Sequence, residues 1–141
     1  MTYLYFAALK PNHMTNKDLV KQAYSNFETG DVPAVLALFD PAIEWHECSG
    51  MPFMKGDSVF IGPDAVVTNV FMQLPVFYEG FNIAVTEILG EGDKVVMVGY
   101  YQGINKKTGN AFKANATHVW TVKNGKMAHF FQAVDTVATM R

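Results

Sequence analysis

The chain has 141 residues, of which 50% are apolar, 13% are aromatic and 17% are charged. This length fits one domain, because a domain of that size buries about two-thirds of the surface of its unfolded chain. The net charge is −2 and the only arginine is Arg141, so the sequence lacks the basic surface on which nucleic-acid binding depends.

The first 13 residues are predicted to be an N-terminal extension of a single domain over residues 14–141. Met14 is followed at once by a helix-start pattern, and a peripheral strand or arm is the alternative for the residues before it. The apolar run Tyr3–Leu9 lacks the basic segment and the small-residue cleavage site of a signal peptide. No apolar stretch approaches the roughly 18–20 residues of a membrane span, so we expect no membrane contact.

Two helices are predicted next. Thr15 offers an N-cap oxygen, and apolar residues then recur at helical spacing until Gly30, which predicts a first helix over about residues 17–29. Asp31 can cap a second helix, which Pro41 ends. We expect these helices to form an αα-hairpin.

A short strand is predicted over Ile43–Glu47, where alternation puts Trp45 and Glu47 on one face. Because alternation sends consecutive side chains to opposite faces, His46, Glu47 and Cys48 are not expected to bind a metal ion together. Cys48 is the only cysteine, so the chain forms no internal disulfide, which fits a reducing cytoplasm.

A long loop is predicted over residues 48–62, followed by a third helix from Gly62-Pro63-Asp64 to Pro75. After it the pattern changes to strands joined by hairpin connections, which predicts an antiparallel meander. The predicted strands are Phe81–Leu89, Lys94–Ile104, Ala111–Val122 and Lys126–Thr136. Helices followed by a hairpin-linked sheet indicate the α+β class, with the helices packed on one sheet face.

The last hairpin decides which side chains face the helices. A two-residue turn at Asn124-Gly125 pairs His118 with Phe131, whereas a three-residue turn with a bulge pairs His118 with Phe130. A one-residue slip moves every side chain to the opposite face. We choose the three-residue turn, because His118 and Gln132 then point inward beside a consistent apolar set. That set is Trp120, Val122, Phe130 and Val134.

Several sequence blocks occur in a characteristic order, namely Tyr24–Asp31, Leu38–Trp45, Gly62–Val66, Gly92–Val96 and His118–Lys126 followed by Phe131–Asp135. Over residues 15–138 the chain resembles the SnoaL-like, ketosteroid-isomerase-related branch of the nuclear transport factor 2-like superfamily. The resemblance implies a cystatin-like roll, in which a cone-shaped, bent antiparallel sheet wraps three helices around a deep cavity. It also implies a homodimer made through the outer sheet face. Members of this branch include isomerases, polyketide cyclases, epoxide hydrolases, dehydratases and non-catalytic binders, so the pocket residues must decide the function.

Glu47 and His118 are the predicted catalytic residues. The resemblance puts Glu47 where a steroid isomerase has its carboxylate base, and burial beside apolar walls would raise the pKa of this carboxyl enough for proton transfer near neutrality. The alternative is a solvated Glu47 at the strand end. His118 could donate a hydrogen bond or carry a proton; the alternative is a core histidine bonded to a neighbour.

The predicted substrate-binding residues are Tyr24, Trp45, Trp120, Phe130 and Gln132. Gln132 can donate and accept hydrogen bonds but does not transfer protons, so we expect it to orient the ligand or His118. Tyr24 lies on the apolar stripe of the first helix, where it either packs in the core or presents its hydroxyl at the cavity mouth.

Two family activities fit poorly. The steroid isomerase pattern has a tyrosine and a protonated acid where this chain has Ala23 and His118, which argues against steroid isomerisation. The epoxide hydrolase pattern requires an aspartate–arginine–aspartate set, but this chain has no internal arginine and Gln132 replaces one aspartate.

We therefore predict an acid–base enzyme of the isomerase, cyclase or dehydratase kind, acting on a small hydrophobic oxygenated molecule without metal or cofactor. A non-catalytic small-molecule-binding dimer is the alternative. A third reading, a purely structural dimer, requires the cavity to be filled by the protein's own side chains.

Overall fold

The computed structural model describes residues 14–141, so the predicted extension over residues 1–13 lies outside the described residues. Helix α1 (Asn16–Glu28) begins with a capping box, in which the Thr15 hydroxyl accepts the Asp18 N–H and the Asp18 carboxylate accepts the Thr15 N–H. Helix α2 (Val32–Leu36) packs against α1 as predicted. It ends five residues before Pro41, because the chain is already extended from Phe39.

The strands of residues 14–141 form one six-stranded sheet in the order β2-β1-β6-β5-β4-β3. Their bounds are β1 Phe39–His46, β2 Val59–Ile61, β3 Tyr78–Glu91, β4 Lys94–Asn105, β5 Ala111–Lys123 and β6 Lys126–Val134. Strands β3 to β6 make the predicted antiparallel meander. Strand β1 joins β6 in parallel, so the sheet is mixed rather than wholly antiparallel. Strand β2 lies inside the predicted loop, where it pairs with β1.

The third helical segment has three parts. Helix α3 (Pro63–Val66) leads into a π-helical turn over Val67–Phe71, and helix α4 (Leu74–Phe77) follows. The predicted end at Pro75 was wrong, because Pro75 lies in the first turn of α4, where a missing N–H leaves no hydrogen bond unmade. The strand predicted to reach Thr136 also ends early. The Asp135 carboxylate accepts the Ala138 N–H and starts helix α5 (Thr136–Thr139).

The β5–β6 hairpin has neither predicted register. Asn124 and Gly125 form a two-residue turn with φ values of 51° and 74°, which suits a type I′ turn. An extra residue, Ala128, then bulges between the pairs Val122–Met127 and Thr121–His129, so His118 pairs with Gln132. The bulge restores the side-chain alternation expected for the three-residue turn. His118, Gln132 and the apolar set chosen with them therefore face inward.

The core lies between the inner sheet face and the helices. Its fully buried members include Val20, Ile43, Val66, Met97 and Met127. The α+β fold predicted from the sequence is confirmed, with a curved sheet closed on one side by helices. Within residues 14–141, no helix has the length and hydrophobicity required to cross a membrane.

Candidate functional site

A cavity of about 50 Å³ lies between the inner sheet face, α1, α2 and the π-helical turn. Its wall is mostly aromatic and aliphatic. The polar side chains that reach it are Tyr24, Glu47, Tyr101, His118 and Gln132. Pockets for drug-sized ligands are usually several-fold larger. A ligand of that size therefore enters only if lining side chains such as Met51, Phe71 and Leu74 move.

Three predicted substrate-binding residues form one continuous aromatic wall. The ring of Phe130 stacks on Trp45 at a centroid distance of 3.8 Å and packs against Trp120 at 4.5 Å. All three side chains are buried and line the cavity. Because cross-strand pairing puts Phe130 between Trp45 and Trp120, the wall is fixed by sheet register.

Glu47 lies at the end of β1, where its backbone N–H donates to the Ser58 carbonyl at 2.8 Å. Its side chain is 6% exposed, and its Oε1 atom accepts the Trp45 indole N–H at 2.8 Å. Burial raises the pKa of this carboxyl from 4.5 to about 7, against the opposing effects of the hydrogen bond from Trp45 and of the nearby Gln132 amide, which does not reach hydrogen-bond geometry. Both protonation states are therefore accessible near neutrality, as an acid–base group requires.

His118 is buried between two tyrosine hydroxyls. Its Nδ1 atom lies 2.6 Å from the Tyr24 hydroxyl, and its Nε2 atom lies 2.6 Å from the Tyr101 hydroxyl. Burial lowers the pKa of His118 to about 3, so the imidazole is neutral at neutral pH and carries one N–H. Burial also raises the pKa of both tyrosines, which keeps their hydroxyls protonated.

Counting hydrogens gives this network a single direction. The Gln132 Oε1 atom only accepts, so the Tyr101 O–H donates to it at 2.5 Å. The Tyr101 oxygen must then accept the His118 Nε2–H, which leaves Nδ1 as the acceptor for the Tyr24 O–H. The Tyr24 oxygen in turn accepts the Trp120 indole N–H at 2.8 Å. The donor chain therefore runs from Trp120 through Tyr24, His118 and Tyr101 to Gln132.

The chain ends at an amide group that is still free to donate. The Gln132 side chain is 3% exposed, and its Nε2 atom has no hydrogen-bond partner among the described residues. Gln132 lies near enough to Glu47 to lower the pKa of that carboxyl. Because a buried donor without a partner is unfavourable, a ligand acceptor at this point would be stabilised.

The structure brings together all seven side chains singled out from the sequence, but it changes the place of His118. Both of its ring nitrogens are bonded to tyrosines, so His118 contacts a ligand only through those hydroxyls. Tyr101 was not predicted from the sequence. Both members of the pair Tyr100-Tyr101 are aromatic, so the residue pattern does not tell which one faces inward. The pairing of β4 with β5, which puts Tyr101 opposite Ala114, decides it.

Comparison with known protein families and structures gives a consistent result. The model of the SnoaL-like domain matches residues 20–130. An NTF2-like protein from Burkholderia thailandensis is 33% identical, with a TM-score of 0.83 over 89% of this chain and 95% of that one. A comparison with curated proteins finds no match.

Two further structures share the fold at lower identity. TerC, co-crystallized with polyporic acid, is 24% identical with a TM-score of 0.77, over 87% of this chain and 93% of that one. IdmH from Streptomyces antibioticus, a proposed polyketide cyclase, is 18% identical with a TM-score of 0.75, over 89% of this chain and 96% of that one.

Proposed function

The chain belongs to the SnoaL-like domain family, and on that premise we propose that it is a cofactor-independent acid–base enzyme of the isomerase, cyclase or dehydratase kind. Its substrate is a small, hydrophobic, oxygenated molecule. One observation carries the proposal: the buried carboxyl of Glu47 and the free amide N–H of Gln132 share one apolar cavity. A carbonyl compound needs this pair, a base for its carbon-bound proton and a donor for its oxygen.

Glu47 takes the proton in the first step. The carboxylate accepts a proton from the carbon beside the carbonyl, and the C–H electron pair becomes the C=C bond of an enolate. The carbonyl π electrons move to the oxygen, where negative charge develops. Glu47 leaves this step as a neutral acid, a form that its raised pKa favours.

Gln132 stabilises the developing charge. Its Nε2–H donates to the enolate oxygen, and its own oxygen accepts from Tyr101. Since every group after Trp120 accepts a hydrogen bond from the group before it and donates another, the bonds polarise one another in the same direction. His118 acts here as a neutral link and positions Tyr101.

The proton held by Glu47 completes the reaction. Returned to a different carbon it gives isomerisation, and given to a departing hydroxyl it gives dehydration. Attack of the enolate carbon on a second carbonyl of the same molecule gives cyclisation, and the proton then passes from Glu47 to the alkoxide oxygen formed there. The IdmH and TerC likenesses favour a flat, oxygenated substrate such as a polyketide, since the aromatic wall of Trp45, Trp120 and Phe130 suits a planar ring.

The second candidate is a non-catalytic binder with the same cavity. The observation in its favour is that His118 is already fully hydrogen-bonded by Tyr24 and Tyr101, as a purely structural histidine would be. A binder needs the Gln132 donor for affinity, but it does not need Glu47 to change protonation state.

The test measures proton abstraction without knowledge of the natural product. A panel of aryl ketones and 1,3-diketones is incubated with the protein in D₂O, and deuterium uptake beside the carbonyl is followed by NMR. We expect the wild type to accelerate uptake, and the rate of uptake with Glu47→Gln to be about 10²–10⁴-fold lower than with the wild type. Glu91→Gln, which changes an exposed glutamate at the end of β3, is the matched control and should behave as wild type.

Ligand affinity separates the two candidates. Quenching of tryptophan fluorescence reports occupancy beside Trp45 and Trp120, and under the enzyme proposal the Glu47→Gln variant still binds. Exchange that survives in this variant would show that Glu47 is not the base. Binding without exchange in the wild type, across the whole panel, would favour the non-catalytic protein.

We also propose that the protein forms a homodimer through the outer sheet face. Apolar side chains that face away from the helices are exposed there, including Val98 at 37% and Phe131 at 49%. Val119 and Val96 lie between them in paired positions, so the patch is continuous across β4, β5 and β6. Contiguous exposed apolar surface is typical of an interaction site.

A further inference from the structure

Three side chains with metal-ligating atoms lie together on the outer sheet face, away from the cavity. They are Glu44 and His46 of β1 and His129 of β6, and their candidate ligand atoms all lie within 4.8 Å of one another. The Oε2 atom of Glu44 lies 2.6 Å from His46 Nε2 and 3.4 Å from His129 Nε2. The two imidazole rings are 4.8 Å apart and inclined at 33°, so both present a nitrogen to the same carboxylate.

The fold builds this cluster from sheet geometry. Alternation along β1 puts Glu44 and His46 on one face, and parallel pairing sets Glu44 beside His129. The Ala128 bulge is essential, since the two-residue turn without it would send His129 to the inner face. Bulges commonly re-aim a side chain in this way.

We propose that Glu44, His46 and His129 bind a divalent transition-metal ion of the zinc class. Two imidazole nitrogens and one carboxylate oxygen are a ligand set that zinc accepts at about 2.0–2.2 Å. Tetrahedral ligands at that distance are about 3.4 Å apart. The separation of the Glu44 oxygen from His129 Nε2 matches this value and that from His46 Nε2 is shorter, so small side-chain rotations bring all three atoms into place.

Solvent exposure permits those rotations. The side chains of His46, His129 and Glu44 are 33%, 38% and 47% exposed, so no buried packing holds them in their present rotamers. The sheet backbone beneath them is fixed by pairing, which limits the movement to the side chains. The fourth position on the ion is left for a water molecule or a donor from outside the chain.

The donor set also selects the class of ion. Imidazole ligands suit zinc, copper and nickel, whereas magnesium and calcium prefer oxygen donors alone. The cluster is separate from the proposed catalytic site, because His46 and Glu47 are consecutive and point to opposite faces. The metal proposal therefore stands or falls independently of the proposed enzyme.

The experiment is a calorimetric titration of the intact protein with zinc chloride alone, after treatment with a chelator. We expect one ion per chain. His46→Ala and His129→Ala should each weaken binding by at least about tenfold, since loss of even an outer-shell partner commonly has that effect. His13→Ala, which changes a histidine that is not among the proposed ligands, is the matched control and should bind as wild type.

A spectrum makes the result independent of variant folding. Cobalt(II) bound to the wild type at two nitrogens and one oxygen should give visible absorption bands. These bands should disappear when zinc displaces the cobalt, and they should be weaker in Glu44→Gln. Circular dichroism identifies any variant that does not fold. Zinc affinity unchanged in both cluster histidine variants, or lost only in His13→Ala, would overturn the assignment. So would wild-type protein that gives no cobalt spectrum.

Discussion

Glu44 and Glu47 are three residues apart, yet the two faces of the sheet give them opposite properties. Glu47 is 6% exposed on the inner face, and burial raises the pKa of its carboxyl. The Glu44 side chain is 47% exposed on the outer face, and its hydrogen bond to His46 lowers the pKa of its carboxyl. The same residue type is thus a potential proton acceptor inside and a permanent anion outside.

The histidines repeat the contrast. His118 on the inner face is buried, neutral and fixed at both ring nitrogens by tyrosines. His46 and His129 on the outer face are half-exposed and share one carboxylate. The difference shows that strand alternation, more than residue type, decides which chemistry a position supports.

The contrast is sharpest in the consecutive residues Phe130 and Phe131. Phe130 is 1% exposed and packs against Trp45, Trp120 and His118 on the inner face, so Phe130→Ala should lower the free energy of unfolding by about 3–5 kcal/mol. Phe131 is 49% exposed, and Phe131→Ala should change it by less than about 1 kcal/mol. Urea denaturation of dilute protein measures both.

Equal losses of unfolding free energy in Phe130→Ala and Phe131→Ala would contradict the proposed difference between the two faces. The outer variant also reports on the proposed dimer. Sedimentation velocity should show wild-type protein at twice the chain mass of 15.7 kDa, with Phe131→Ala shifted towards the single chain. Wild-type protein that sediments as a single chain at all concentrations would rule out the dimer.

Much of the fold was predictable because its signals are local. Capping at Thr15, the breaker at Gly30 and the hairpin turns each act within a few residues, and the helices and the meander follow from them. The parallel contact between β1 and β6 is a different matter, since it joins segments about 85 residues apart, beyond any local signal. Strand β2 was missed because three residues carry too little alternation to detect.

The site was partly predictable for the same reason. Alternation alone orients Trp45 and Glu47, but the facing of His118 and Gln132 depends on the turn and on the Ala128 bulge. No sequence pattern marks this bulge. The predicted β5–β6 register was therefore wrong, although the predicted inward and outward orientation of the side chains was right. The inward orientation of Tyr101 depends on the pairing of β4 with β5. Because Tyr100 and Tyr101 are both aromatic, the sequence alone does not tell which of them faces the cavity.

The second way to test the contrast between faces is the pH dependence of stability. The folded pKa of Glu47 is raised from 4.5 to about 7, so the native state binds more protons than the unfolded state between these values. The contribution of Glu47 to the free energy of unfolding is fully present below pH 4.5 and is lost as pH rises through about 7. As pH rises from 4.5 to 8, the free energy of unfolding of Glu47→Gln should therefore increase by about 3 kcal/mol relative to that of wild type.

His118 contributes with the opposite sign. Its folded pKa is lowered from 6.5 to about 3, so stability is lost as pH falls below 6.5. Between pH 4.5 and 6.5 the two slopes oppose each other, and the wild-type profile should be flatter than that of Glu47→Gln.

Glu44→Gln should change the slope of the profile only at the acid end, because the stabilisation that comes with the lowered pKa of Glu44 is constant above pH 4.5 and is lost as pH falls below it. Chemical denaturation at a series of pH values, with a chelator present, measures all three proteins. A Glu47→Gln profile parallel to wild type would show that Glu47 is not buried as described.

The smallest expected effect comes from the neighbouring tyrosines. Tyr101→Phe removes the hydroxyl between His118 and Gln132, which leaves a buried N–H and a buried carbonyl oxygen without partners and should lower stability by about 1–2 kcal/mol. Tyr100 lies on the outer face with Lys113 at 4.2 Å over its ring, a contact that Tyr100→Phe keeps, so this variant should match wild type. The ¹⁵N shifts of His118 provide a second reading, because Tyr101→Phe alone removes the acceptor that holds the hydrogen on Nε2. Unchanged shifts in that variant would contradict the hydrogen bond between Tyr101 and His118.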